Sequence, residues 1–179
     1  RHRLMVNGGM TPSLDDTHSD AWALSLDGSP AWTQLVPDPT RPPIRGGAGD
    51  GYDPARHRIV VFGGSDQNGS YRNDSWALNL GTVPSWSQLS PQGPLPTGRY
   101  WHASAWDVAH DRLVVYGGYH GDPYNPFADL WTLSFGGGTT RLQITHAGPA
   151  PTGRSSPHLG VASARVPVLL LGGFDGPVR

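Results

Sequence analysis

Four times along the chain an apolar run closes on a Gly-Gly pair, and successive pairs stand 54 or 55 residues apart. The pairs are Gly8-Gly9, Gly63-Gly64, Gly117-Gly118 and Gly172-Gly173, preceded by Leu4 to Val6, Ile59 to Phe62, Leu113 to Tyr116 and Val168 to Leu171. An Asp and a Trp follow the first three pairs: Asp20 and Trp22, Asp74 and Trp76, Asp129 and Trp131. Each Trp is followed by a Gln (Gln34, Gln88, Gln143) and then by an Arg (Arg45, Arg99, Arg154) at constant spacing. From Trp to the next Gly-Gly is 41 residues in all three copies, whereas from Gly-Gly to Trp is 14, 13 and 14. A repeat of constant length except in one segment is a packed unit carrying one loop that can change.

The local pattern predicts four strands per repeat. Strand 1 follows the Arg, as in Tyr100 to Trp106, and a short polar turn leads to strand 2, the apolar run. Strand 3 alternates strictly: Trp22/Leu24/Leu26, Trp76/Leu78/Leu80, Trp131/Leu133/Phe135. Strand 4 is Ala31 to Leu35 and Ser85 to Leu89, with Trp32 and Trp86; the third copy places Arg141 at that Trp position. Period-two alternation is the mark of a strand. A four-stranded meander with two apolar faces cannot bury both alone, but it can when stacked radially on copies of itself. The double glycine ends strand 2 where close backbone approach or a positive φ is needed.

Apolar run, Gly-Gly, loop, Asn-Asp-x-Trp, a later Trp and then Pro-x-x-Arg resembles the kelch repeat. The second copy carries it most fully: Ile59 to Gly64, Asn73-Asp74, Trp76, Trp86, and Pro96 to Arg99. The resemblance spans essentially the whole chain and implies an all-β, kelch-type β-propeller. Complete rings of that family have about five to seven blades. Here the pattern predicts three, four, four and two strands, divided at approximately 1–40, 41–94, 95–149 and 150–179. The expectation is a single partial propeller, a fragment of a longer protein. Its remaining blades complete the ring, or the open ring self-associates or is poorly soluble when expressed alone.

Composition narrows the function classes. The 13 cationic residues are all Arg, the 14 acidic residues are all Asp, and the net charge is −1. No basic field points to nucleic acid. No apolar run is long enough to span a membrane. Arg1 to Val6 lead straight into a strand pattern without a signal-peptide pattern. A chain lacking Cys, with long polar loops, suits a secreted or surface protein, and suits the cytosol nearly as well.

Residues recurring in every copy are assigned to architecture. Arg45, Arg99 and Arg154 are expected to bond Asp or backbone carbonyls at strand ends. Asp20, Asp74 and Asp129 are expected to bond local backbone N–H groups. The Trp residues are expected in the core or in packing at blade edges. In an up-and-down blade the 2–3 and 4–1 connections share one rim, and copy-specific residues there are the binding candidates. They are Tyr71 and Arg72 in the second 2–3 loop; His120, Tyr124, Asn125 and Phe127 in the third; and Tyr100, Trp101 and His102 after Arg99. Tyr119 and Asp122 of the third loop, Asp15, Asp16 and His18 of the first, and His158 lie in the same class of segment. Such residues are the vocabulary of a surface that binds a protein, or a glycan.

Catalytic readings find little support in the residues. Galactose oxidase is built on a kelch-type propeller, and that resemblance implies copper held by Tyr and His and a Tyr cross-linked to Cys. The chain has no Cys, so that cofactor cannot form within it. Zinc-hydrolase, phosphate-binding and nucleophile-elbow motifs are absent. Asp66-Gln67-Asn68-Gly69 begins like a calcium loop but reads as a turn. No metal or other cofactor is therefore expected. A non-catalytic binding module is the preferred reading. The alternative is part of a catalytic propeller, an oxidase or carbohydrate-active enzyme, whose site lies largely outside this chain.

Overall fold

The computed structural model describes residues 3–10, 17–36, 41–66, 68–121, 123–161 and 168–176. The candidates Asp15, Asp16 and Asp122 lie outside them. The chain is all-β. Blade 1 holds β1 (Arg3–Met10), β2 (Thr17–Ser25) and β3 (Ala31–Leu35). Blade 2 holds β4 (Gly49–Asp53), β5 (Arg58–Phe62), β6 (Ser75–Asn79) and β7 (Ser85–Leu89). Blade 3 holds β8 (Ala103–Asp107), β9 (Arg112–Tyr116), β10 (Leu130–Ser134) and β11 (Thr140–Ile144), with one 3-10 turn at Val108–His110. Blade 4 holds β12 (His158–Val161) and β13 (Val168–Leu171). Each sheet is an antiparallel meander in chain order, and together they form a partial β-propeller. The predicted three, four, four and two strands are all present.

Register follows the alternation read from the sequence. In blade 2, Ile59 faces Leu78 and Val61 faces Trp76, while Leu78 in turn faces Trp86. In blade 3, Leu113 and Arg141 both flank Leu133. The innermost strands β4, β8 and β12 lie side by side, so the blades fan out from a common axis.

Cores form between blades rather than within them. Ile59, Val61, Trp76, Leu78 and Trp86 of blade 2 pack against Ala21 and Met5 of blade 1. The opposite face of β5, Val60 and Phe62, packs against Leu113, Val115, Trp131, Leu133 and Phe135 of blade 3. Each apolar run thus serves two neighbours, which is why Ile-Val-Val-Phe is apolar at every position.

The recurring Arg and Asp residues meet one another in blades 2 and 3. Arg45 donates to the carbonyl of Gly63 at 3.0 Å and clamps both carboxylate oxygens of Asp74 at 2.6 and 2.9 Å. Arg99 does the same with Gly117 and Asp129. These carboxylates also accept the indole N–H of the Trp two residues on, at 2.7 Å in both blades, and a backbone bond contributes at Asp129. Each Asp reaches the guanidinium because it lies where strand 3 begins, beside the Arg that precedes strand 1. Both carboxyls are held below the ordinary carboxylate range; burial opposes the effect and the Arg bond overcomes it.

Four further features complete the frame. Every residue of the four Gly-Gly pairs has positive φ, and Gly64 and Gly118 donate across the blade boundary to the carbonyls of Arg99 and Arg154, at 2.8 and 2.9 Å. Asp53 and Asp107 anchor the 1–2 turns by accepting from Arg58 and Arg112, both at 2.9 Å. Arg56 reaches from blade 2 to clamp Asp111 of blade 3 at 2.8 and 2.7 Å. The backbone N–H groups of Asn68 and Ser70 close on Asp66 Oδ1 at 2.9 and 3.0 Å, the turn expected there.

Candidate functional site

One pair of repeat positions builds the site. The residue after each Arg bridges the residue after the next Gly-Gly: Gly46 with Ser65, Tyr100 with Tyr119, and Ser155 with Phe174. Blade 2 fills both positions with small residues, and blade 3 fills both with tyrosine. Architecture does not require that difference, because the bridge is made by backbone atoms alone.

The next residue in each repeat is Gly47, Trp101 or Ser156, and all three have left-handed φ, +60°, +52° and +50°. Trp101 donates its amide to Gly47 O at 2.8 Å, and Ser156 donates to Trp101 O at 2.7 Å. A bulky residue held at positive φ carries strain, which the surrounding bonds must offset. A Cβ at Gly47 would lie 2.6 Å from the Trp101 ring, so glycine there makes room for the indole.

Around this seat the aromatic side chains are contiguous. Tyr100 meets Tyr119, Trp101 and Tyr71 at centroid distances of 4.4, 4.9 and 5.2 Å. Tyr71 reaches His120 at 4.4 Å, and Tyr119 reaches Tyr124 at 4.7 Å. The tyrosines and Trp101 are half-buried and His120 is exposed. Thus the 2–3 loop of blade 2, the 4–1 connection, and the 2–3 loop of blade 3 meet in one patch.

The hydroxyls tie the patch down. Tyr100 and Tyr119 share a short hydroxyl–hydroxyl bond. Tyr124 is within 2.6 Å of Ser155 Oγ and donates to Phe174 O at 3.1 Å. Burial raises the phenol pKa values of Tyr100 and Tyr119, so both remain neutral donors at physiological pH. His120 Nδ1 lies 2.8 Å from the carbonyl of Gly98. A carbonyl only accepts, so that nitrogen carries the proton, and Nε2 of the neutral ring is an acceptor.

The remaining candidates sit elsewhere. His102 is buried behind the patch, edge-on to Phe62 at 5.4 Å, and burial pulls its pKa down to about 3. Phe127 lies beneath the Arg99 guanidinium at 4.2 Å. Arg72 is paired with Asp66 within its own loop at 2.8 Å. Asn125 is exposed beside Tyr124 in sequence, and His158 is exposed at the start of β12. Tyr119, the hub of the patch, was legible only as one of many loop residues. Its signal is its position directly after Gly-Gly, opposite Tyr100. Ser155 carried no signal, because its role is to meet a tyrosine 31 residues away. Among the described residues no three His or Asp side chains converge to hold a metal ion.

Four-stranded meanders fanned about an axis, with a rim of copy-specific loop residues, define a β-propeller-type interaction scaffold. The profile described as the KLHDC2/KLHL20/DRC7 Kelch-repeats domain matches residues 1–178, and the chain belongs to the kelch-repeat family. Domains of this family are generally modules of protein–protein interaction.

Kelch domain-containing protein 2 of Bos taurus is 43% identical over 72 residues, 40% of this chain and 17% of that protein. Acyl-CoA-binding domain-containing protein 5 of Arabidopsis thaliana is 32% identical over 123 residues, 68% of this chain and 18% of that protein. The chain therefore spans less than a fifth of the curated relatives it matches. A solved structure, titled "Cryo-EM structure of RAG in complex with one melted RSS and one unmelted RSS", superposes with a TM-score of 0.68 at 16% identity. The match covers 96% of this chain and 54% of that one, and the likeness is one of fold.

Proposed function

We propose that the chain is a non-catalytic recognition module that binds a protein partner through the aromatic patch of blade 3. The observation that supports this reading is the contrast at equivalent positions, Gly46 and Ser65 against Tyr100 and Tyr119. Tyrosine and tryptophan give large contact area at low conformational-entropy cost, and each keeps a polar tip for orientation. Trp101 in its strained backbone and the hydroxyl bonds of Tyr100 and Tyr124 hold the surface ready before a partner arrives, which lowers the ordering cost of binding. His102 is buried and offers the patch no surface, while the partly exposed Phe127 stacks on the Arg99 guanidinium.

A random-peptide display selection on the immobilised chain tests the reading. Enriched peptides are expected to lose most of their affinity for a Tyr71→Ala/His120→Ala variant whose thermal transition matches the parent. Peptides that bind parent and variant equally would remove the patch from consideration. Enrichment of oligosaccharides on a glycan array, lost in the same variant, would reassign the patch to sugar stacking.

A further inference from the structure

Two hydrogen-bond donors of the aromatic patch face no acceptor. The indoles of Trp22, Trp76 and Trp131 each donate to the Asp two residues earlier, at 2.6, 2.7 and 2.7 Å. Two residues before Trp101 stands Arg99, which offers no acceptor. Among the described residues, neither the Trp101 indole nor the Tyr71 hydroxyl donates a hydrogen bond. Both residues are half-buried, and both donor atoms reach solvent. An indole N–H only donates, and a phenol always carries one donor below its pKa.

Charge and backbone are both closed around these donors. Among the described residues of the three segments that meet here, every Arg and Asp is in an ion pair: Arg72 with Asp66, Arg99 with Asp129, and Asp74 with Arg45. An acidic or phosphorylated ligand finds no free guanidinium among them. Tyr100 and Tyr119 exchange both backbone bonds at 3.1 Å, and the amide and carbonyl of Trp101 are taken by Gly47 and Ser156. No open edge is left at these residues for an added β-strand. Tyr71, Tyr100 and Tyr119 follow one another at 5.2 and 4.4 Å, tilted by 40° and 45°. Rings in such contact leave no cage between them for an ammonium group.

We infer that the aromatic patch, taken as the recognition surface proposed above, accepts a proline-rich segment in the polyproline II conformation. Such a segment has no internal hydrogen bonds and leaves its carbonyls free as acceptors. Proline brings no N–H, so its backbone offers acceptors to a surface whose free groups are donors. The ligand's carbonyls meet the Trp101 indole and the Tyr71 hydroxyl, and its pyrrolidine rings lie on Tyr100 and Tyr119. Spacings of 5.2 and 4.4 Å carry Tyr71, Tyr100 and Tyr119 across about one turn of that helix, which rises about 9 Å. The ligand's backbone is preset and the Trp101 backbone is locked, so little is left to order on binding.

The test uses the whole chain and fluorescein-labelled decaproline, with a Gly-Ser decapeptide as control. Fluorescence polarisation should show saturable binding of decaproline and none of the control. Trp101→Phe and Tyr71→Phe each keep a ring and remove one donor, and each should weaken binding about fivefold to tenfold. Affinity should change less than about twofold between about 0.05 and about 0.5 M NaCl, because no charge takes part. No saturable binding of decaproline, parent-like binding by both Phe variants, or binding that falls steeply with salt overturns the proposal. Displayed peptides that lose binding to Tyr71→Ala/His120→Ala but carry no excess of Pro would leave the patch a recognition surface and overturn polyproline II as its ligand. Peptides indifferent to that variant would overturn both.

Discussion

Arg99 and Asp129 form a two-pronged ion pair, at 2.5 and 2.8 Å, with the arginine side chain 1% exposed. The pair joins the start of strand 1 to the start of strand 3 within blade 3, while the same guanidinium covers Phe127. Removing Arg99 leaves the half-buried Asp129 carboxylate without its partner. Arg99→Ala is expected to cost about 3–5 kcal/mol in urea unfolding. Arg99→Lys should recover only part, since an ammonium cannot reproduce the fork. Full recovery by Lys would show that charge alone matters.

Acid should act first through His102. Its folded pKa of about 3 lies below the ordinary 6.5, so the unfolded chain binds the extra proton. The stability tied to its neutral form is present above pH 6.5 and drains away as pH falls toward about 3. Between pH 7 and about pH 4.5 the loss should be roughly 1–3 kcal/mol. His102→Phe should flatten that slope in urea titrations. Asp74 and Asp129, depressed below 3.8, should add their own loss only at lower pH.

Two tryptophans at one repeat position should behave oppositely. Trp86 is 6% exposed beneath blade 1, whereas Trp32 is 51% exposed. Trp86→Ala should cost about 3–5 kcal/mol. Trp32→Ala should fall within about 0.5 kcal/mol of the parent. Equal costs in chemical denaturation would show that blade 1 is covered on its outer face in solution.

Glycine tolerance should depend on place. A Cβ at Gly118 would meet Tyr100 O at 2.7 Å at a φ of +78°, so Gly118→Ala should cost about 2 kcal/mol or more. Gly137 has a φ of +87° with open space around it, and Gly137→Ala should cost only the backbone strain, about 1–2 kcal/mol. Thermal melts of the two variants distinguish contact from conformation.

Strand order, register and the interblade core were legible because the Trp-to-Gly-Gly spacing repeats without error and strand side chains alternate with period two. Those are local properties, whereas Ile59 to Phe62 is apolar at every position and does not by itself say which residue faces which neighbour. That the recurring Arg would bond an Asp or a carbonyl was legible, but not which Asp, since the partner lies 29 or 30 residues away. The rim loops could be named from strand parity. Which of their residues meet could not, since Tyr71 and His120 come together only through the angle between two blades. Burial separated the partly exposed Tyr100, Trp101, Tyr119 and Tyr124 from the buried His102. The repeat period alone therefore determined the fold and its building blocks. The patch depends on how one blade is set against the next, which packing across blades decides.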